Sequence, residues 1–271
     1  VSATLELAIE GVGVRAPGMP DWASAREVFN GARALSAEPL VRPAPALLAA
    51  NERRRAPESV LLALAVAEEA CAMARRAPRD LPNVFASSYG DLAINDYLCA
   101  VLARAPFELS PTKFHNSVHN APAGYWTIAS GCMASSTALS AGPATFANGM
   151  LEAATLAAAE GVPVLFAAFD VAAAGPLADV VACDQPFGAG FVLAPPSTAG
   201  VARLRLSVHD RAVAESVPLP AALEALRGRN PAAAALPLLN ALASGAAAGF
   251  DFALHGDKDL PPSALHLEIS F

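Results

Sequence analysis

Two histidines, His115 and His119, stand four residues apart in Ser110-Pro-Thr-Lys-Phe-His-Asn-Ser-Val-His-Asn-Ala-Pro-Ala-Gly-Tyr-Trp-Thr-Ile128, where polar and aromatic groups concentrate in an otherwise alanine-rich chain. On a helix that spacing puts both rings on one face, a geometry that suits a metal ion. No Glu, Asp or Cys stands within a turn to complete a ligand set. Asn116 and Asn120 suit hydrogen bonds to backbone at an irregular helix start or an interface. Three readings stay open for the histidines: metal ligands, subunit or backbone contacts, and pocket lining, with contacts preferred and no metal expected. Tyr125 and Trp126 follow directly, and large aromatics of this kind pack in a core with the O–H or N–H satisfied.

The candidate nucleophiles are scattered. Cys71, Cys99, Cys132 and Cys183 have no CxxC spacing and sit among apolar residues, which predicts reduced, buried thiols rather than disulfides. Ser140 and Thr145 are hydroxyls, and a hydroxyl nucleophile needs a base within hydrogen-bond reach. No such base is evident. Asp170 and Asp184 flank strand ends and are expected to order loops rather than to work as an acid–base pair. His255 precedes a glycine and reads as an exposed turn residue, with catalysis as the lesser alternative. No cofactor is expected.

Composition excludes several function classes. The 271 residues carry a formal charge of −7, which gives no general attraction to nucleic acid, and 54% are apolar, enough for a substantial core. The one compact basic run, Arg53-Arg54-Arg55, reads as a solvated loop before a helix, with contact to an acidic carrier protein as the alternative. Glu6 and Glu10 contradict a basic leader, and Asp170 interrupts the apolar stretch from Val162 to Gly175, so neither a signal peptide nor a membrane span is supported. A soluble, cytoplasmic protein is expected.

The elements that must position these residues follow from hydrophobic period. Leu5–Val14 alternates as a strand, and Pro20-Asp21 opens a helix to about Gly31. The segment from Arg42 to Arg55 has no clear period; Glu58–Arg76 is a long helix. Leu81–Ser88 reads as a strand entering the turn Ser87-Ser88-Tyr89-Gly90-Asp91, with a helix from Leu92 to Arg104. Met133–Ala141 is a further strand, Ala144–Glu160 an almost uncharged helix buried nearly all round, and Val162–Phe169 a continuous apolar strand. Strands at Phe187–Leu193 and Val201–His209, helices at Leu219–Leu226 and Asn230–Ala243, and strands at Phe250–Leu254 and Leu265–Phe271 complete the reading. Strand, buried helix, strand is the pattern of a layered α/β architecture.

Asn120-Ala-Pro-Ala-Gly124-Tyr-Trp-Thr-Ile128-Ala-Ser-Gly131 resembles the segment that precedes the nucleophile elbow in ketoacyl synthases, and Pro186-Phe-Gly-Ala-Gly190-Phe-Val-Leu193 resembles the glycine-containing strand that follows it. The likeness spans roughly Val1 to Leu193. Lys113-Phe-His-Asn-Ser-Val-His-Asn-Ala-Pro-Ala-Gly-Tyr125 is similar to the short ketosynthase-like chain-length factors of aryl-polyene pigment clusters. The resemblance implies a thiolase-like layered α-β-α fold, its N-terminal half largely complete over residues 1–200 and its C-terminal half truncated to a remnant over residues 201–271. It also implies that the stretch holding His115, Asn116, His119, Asn120, Tyr125 and Trp126 lies near a dimer contact.

A condensing ketosynthase needs a thiolate at the elbow, its pKa lowered by a helix N-terminus and its oxyanion held by backbone N–H groups. Counting along the resemblance puts the nucleophile position at Pro143 or Ala144, and neither is cysteine. Cys132 lies upstream, where relatives have the turn before the strand, and reads as structural. The segments that supply two histidines in ketosynthases have no counterpart beyond Phe252-Ala-Leu-His255-Gly256. The resemblance therefore implies a catalytically inactive subunit that heterodimerises with a cysteine-bearing ketosynthase, meets acyl carrier protein through that complex, and lines the partner's acyl tunnel with Phe146, Met150 and Leu151, although the residues themselves are read first as core packing. The rival expectation is an independent thiolase-fold acyl hydrolase or acyltransferase using Ser140 or Thr145.

Overall fold

The computed structural model describes residues 4–211, 213, 218–257 and 259–271; residues 1–3, at the start of the span likened above to ketoacyl synthases, lie outside them. In chain order the elements are β1 (Thr4–Arg15), α1 (Trp22–Phe29), α2 (Ala50–Arg55), α3 (Glu58–Ala74), β2 (Asn83–Ala86), α4 (Leu92–Arg104), α5 (Pro111–His115) and α6 (Ala121–Ser130). There follow β3 (Ser136–Leu139), α7 (Thr145–Glu160), β4 (Val164–Asp170), β5 (Phe187–Ala194), β6 (Ala202–His209), α8 (Ala221–Arg227), α9 (Leu236–Ser244), β7 (Ala248–Ala253) and β8 (Ala264–Ser270).

The strands form one mixed sheet of eight in the order β3-β2-β4-β5-β1-β6-β8-β7. β2 is parallel to β3 and β4, and every other pairing is antiparallel. Side chains of β2, β4 and β5 alternate between two cores. Val84, Phe166 and Phe191 join α7, α1, α8 and α9 on one face; Phe85, Leu165 and Val192 join α3 and α6 on the other. Burial on both faces explains why β4 reads as an unbroken apolar run, whereas β6 alternates buried and exposed residues because helices cover one side of it. Residues after 200 extend this same sheet through β6, β8 and β7.

Helix α3 seats unusually close to the sheet because four glycines lie beneath it. A Cβ added at Gly11 would lie on the carbonyl oxygen of Ala70 and 2.9 Å from Ala74 Cβ, and one added at Gly13 or Gly190 would lie on the carbonyl oxygen of Val66. At Gly188 an added Cβ would press on Val66 and Leu62 at 3.1 and 3.2 Å. At Gly11, Gly13 and Gly190 glycine is required for close approach of two backbones rather than for an unusual dihedral angle, while Gly188 makes room for side chains of α3.

Three expectations are corrected. Arg53-Arg54-Arg55 is the last part of helix α2 rather than a loop: Arg53 donates to Pro45 O at 3.0 Å, while Arg42 donates to Ala56 O at 3.0 Å. The single helix expected over Asn230–Ala243 divides into a 3₁₀ turn, Pro231–Ala235, capped by Asn230, and α9, because Pro237 supplies no N–H to continue the earlier turn. Cys71, Cys132 and Cys183 are free and buried, but Cys99 is exposed on α4, where only Ile94 and Val101 are buried.

Candidate functional site

The elbow is built where β3 hands over to α7. Gly142 takes φ +54°, the left-handed region that a side chain disfavours, and Pro143 then fixes the first turn. Thr145 Oγ1 accepts from Ala141 N at 2.9 Å and donates to Gly142 O at 2.7 Å, which closes the turn from inside. Ser140 Oγ donates to Ser88 O at 3.0 Å. Each candidate hydroxyl hydrogen therefore goes to a backbone carbonyl rather than to a base. Pro143 occupies the tip, on the wall of a cleft of about 260 Å³ shared with Tyr89, Arg227 and Asn230, while Ala144 is buried. Proline brings neither a nucleophilic atom nor an N–H to hold an oxyanion.

Behind the elbow sits a polar hub on Asp170, which is 1% exposed. Its Oδ1 accepts from Ser87 Oγ at 2.7 Å, Ser88 N at 2.9 Å and Tyr89 N at 3.3 Å. Asn230 Nδ2 donates to the Asp170 carbonyl at 2.9 Å and to Gln185 O at 2.7 Å. Burial pushes the Asp170 carboxyl up to about 7 against these hydrogen bonds, and the charge it would carry helps push the thiol of Cys183 up to about 12, after burial. The loop-ordering role expected of Asp170 is thus realised, whereas Asp184 pairs at the surface with Arg229 at 2.8 Å. What the sequence did not reveal is that Ser87, Ser88 and Asn230, 60 to 83 residues distant, converge on Asp170. The signal was a lone acid ending an apolar strand.

The two histidines are not brought together. His115 ends α5 and is exposed, the chain turns at Asn116, and His119 bonds through Nε2 to Ser87 O at 2.9 Å. No shared helix face exists, and among the described residues no three His, Cys, Asp or Glu side chains gather in a metal-binding group. Asn116 is buried and accepts from Tyr125 Oη at 3.1 Å. Trp126 is wholly buried, its ring 5.9 Å from that of Phe85, so it supports this surface from within and cannot itself touch a partner. His115, Asn120 and Tyr125 line an apolar groove of about 450 Å³ with Leu48, Val118 and Ile128. Ile128 of this groove is 85% exposed; Phe114 on α5 is exposed too, as are Phe107 and Met133, the latter at 94%, on the segments that flank α5 and α6 in the chain. β3 forms the adjoining edge of the sheet.

Phe146 and Met150 lie inside the core, with Leu151 half-buried against it, rather than on the walls of these clefts. The Phe146 ring packs 5.8 Å from Phe166, 6.4 Å from Phe191 and 5.4 Å from Phe252. His255 sits beside Asp257 O and Pro261 O at 3.1 and 2.9 Å, a turn residue. Among the described residues no helix is long and apolar enough to cross a membrane.

An elbow between a sheet-edge strand and a buried helix, within this strand order, is the frame of a condensing-enzyme domain. The β-ketoacyl synthase N-terminal domain matches residues 22–248, and the chain belongs to that family. No curated protein matches the sequence. A chain of the ketosynthase ApeO in complex with its chain length factor ApeC, from Xenorhabdus doucetiae, has the same fold at 23% identity and a TM-score of 0.72, over 97% of this chain and 99% of that one. The ishigamide ketosynthase/chain length factor is similar at 13% identity and a TM-score of 0.69, over 98% and 99%. The type II polyketide synthase complex AntDE:AntF, an acyl-carrier protein with its ketosynthase bound to the hexaketide, is similar at 13% and 0.70, over 99% of each chain.

Proposed function

We propose that this chain is a non-elongating ketosynthase-like subunit, a chain-length factor that heterodimerises with a cysteine-bearing β-ketoacyl-carrier-protein synthase in aryl-polyene, polyketide or fatty-acid-type chain synthesis. The observation that carries this reading is Pro143 at the tip of the elbow, where a condensing enzyme needs a thiolate and an N–H. The partner face is proposed along β3, α5 and α6, with His115, Asn120 and Tyr125 outward and Asn116 and Trp126 bracing them from inside. An unguarded edge strand beside exposed Phe114, Val118, Ile128 and Met133 supports that assignment, since such a surface is costly to leave in water. Acyl carrier protein meets the subunit through the complex.

Coexpression with a cysteine-bearing ketosynthase tests the proposal. A one-to-one complex that elongates only when both chains are present is expected; a stable monomer indifferent to every ketosynthase offered overturns it. The rival hydrolase reading requires acyl-carrier thioester cleavage by this chain alone, lost on Ser140→Ala or Thr145→Ala. Both hydroxyls are engaged with backbone, which argues against it.

A further inference from the structure

One glycine of helix α6 has no reason within this chain to be glycine. Gly124 is helical: its N–H donates to Asn120 O at 2.9 Å, and its carbonyl accepts from Thr127 Oγ1 at 3.1 Å. It lacks the positive φ that asks for glycine, and a Cβ added to it would meet no atom within 4 Å. Gly149, inside α7, is a different case, because there an added Cβ would lie 2.6 Å from the Phe166 ring. Glycine inside a helix is less stable than alanine, so the open space at Gly124 is kept at a cost to the free chain. That space belongs to the apolar groove, where Ala121, Gly124, Tyr125 and Ile128 share one face of α6 at helical spacing. From Asn120 to Ile128 the groove follows α6 for about 12 Å, the length of roughly two turns of a second helix. Glu52 is the one acid that lines it, and the Glu52 carboxylate has no hydrogen-bond or ion-pair partner among the described residues.

We infer that this groove seats a helix of the ketosynthase partner, which crosses α6 at Gly124, lays apolar side chains against Leu48, Tyr125 and Ile128, and brings a lysine or arginine opposite Glu52. This occupant rests on the subunit reading above, and it deepens that reading by naming the element that docks. A helix surface without a side chain at the crossing point lets a second helix come closer, which gives the vacant Cβ position a purpose that nothing inside the chain supplies. A small ligand would need walls on all sides, whereas Ile128 is 85% exposed and the groove is an open trough of the kind that takes the apolar face of a helix. The unpaired Glu52 at its side fixes the sign of the partner's charge. Beyond Ile128 the chain runs through exposed Met133 into the edge strand β3, so a helix seated here continues the face already proposed for the partner.

Stability of the free chain and affinity of the complex should move in opposite directions. Gly124→Ala should raise the thermal midpoint of the free chain by roughly 2–4 °C, because alanine suits a helix and the methyl meets nothing. The same variant should weaken binding to a cysteine-bearing ketosynthase that holds the wild-type chain by about tenfold, and Gly124→Leu by about a hundredfold. Glu52→Lys should slow association by about tenfold at low salt, with the difference shrinking as salt is added. A photo-crosslinker in place of Ile128 should capture a helical segment of the ketosynthase that carries the cation. Unchanged affinity in both Gly124 variants overturns the seated helix and leaves the subunit reading standing, whereas a wild-type chain that binds no ketosynthase overturns both. A lowered thermal midpoint in Gly124→Ala would reveal an internal role for the glycine and also overturn the inference. If Gly124→Leu instead breaks a homodimer of the free chain, the occupant is a second copy and the ketosynthase helix is wrong.

Discussion

Ser140 Oγ donates a hydrogen bond to the carbonyl oxygen of Ser88 across 3.0 Å, joining the start of the elbow to a turn 52 residues earlier in the chain. The hydroxyl best placed to act as a substitute nucleophile is thus spent on architecture, and the elbow is stiffened at the point where chemistry would require exposure.

Pro143→Cys is expected to restore a thiol without restoring condensation. The cleft it would face holds Tyr89, Arg227 and Asn230 and no histidine. Iodoacetamide labelling should find the new thiol, while elongation of an acyl-carrier thioester by the chain alone stays at background; turnover there would refute the silent-subunit reading.

Gly13→Ala and Gly190→Ala should each destabilise the fold by about 1–3 kcal/mol, because the added methyl meets the backbone carbonyl of Val66, which cannot move aside as a flexible side chain does. Gly131→Ala loses stability for a different reason: its φ of +69° is strained for alanine although nothing crowds the position. Urea denaturation separates the cases, since steric contact should lower the midpoint further than strain at a helix end.

Ile128→Lys and Met133→Glu should leave the stability of the isolated chain within about 0.5 kcal/mol, as expected for exposed positions. Each should nevertheless reduce co-purification with the proposed ketosynthase partner more than tenfold. Pull-down alongside thermal melting of the free chain checks both halves of the statement.

Stability should depend on pH through Asp170 in a defined direction. Its folded pKa, about 7, lies above the unfolded value of 3.8, so the folded state retains a proton that the unfolded state has released. Stability is therefore full below about pH 4, falls between 4 and 7, and levels off above 7, with a total loss on the order of a few kcal/mol. Asp170→Asn should flatten that decline. Denaturation midpoints at pH 4, 5.5, 7 and 8.5 give the curve.

Much of this was legible in the chain because local pattern and burial agree. Glu58 to Ala74 is helical and sheathed by sheet and helix, and the apolar run ending at Asp170 is a doubly covered strand. Counting forward from Gly124 and back from Gly161 reaches Pro143 and Ala144, which the fold places in one 3₁₀ turn between β3 and α7. Reading failed where tertiary contacts outweighed spacing. The histidines look paired only if one helix carries both, and the turn at Asn116 breaks it. The resemblance offers Phe146 to a tunnel while its residue type favours the core, and its ring is enclosed by Phe166, Phe191 and Phe252, contributed by three strands. The Asp170 hub was partly visible as an acid in the wrong neighbourhood, but its partners are a property of the folded chain.

The four glycines beneath α3 separate inheritance of shape from inheritance of chemistry. Gly11, Gly13 and Gly190 are demanded by the backbone of α3 and Gly188 by the side chains of Val66 and Leu62, so selection to keep the chain folded would guard them whether or not the elbow reacts. The scaffold can in this way persist whatever side chain stands at the tip of the elbow, because what seats α3 against the sheet lies in residues that take no part in chemistry there.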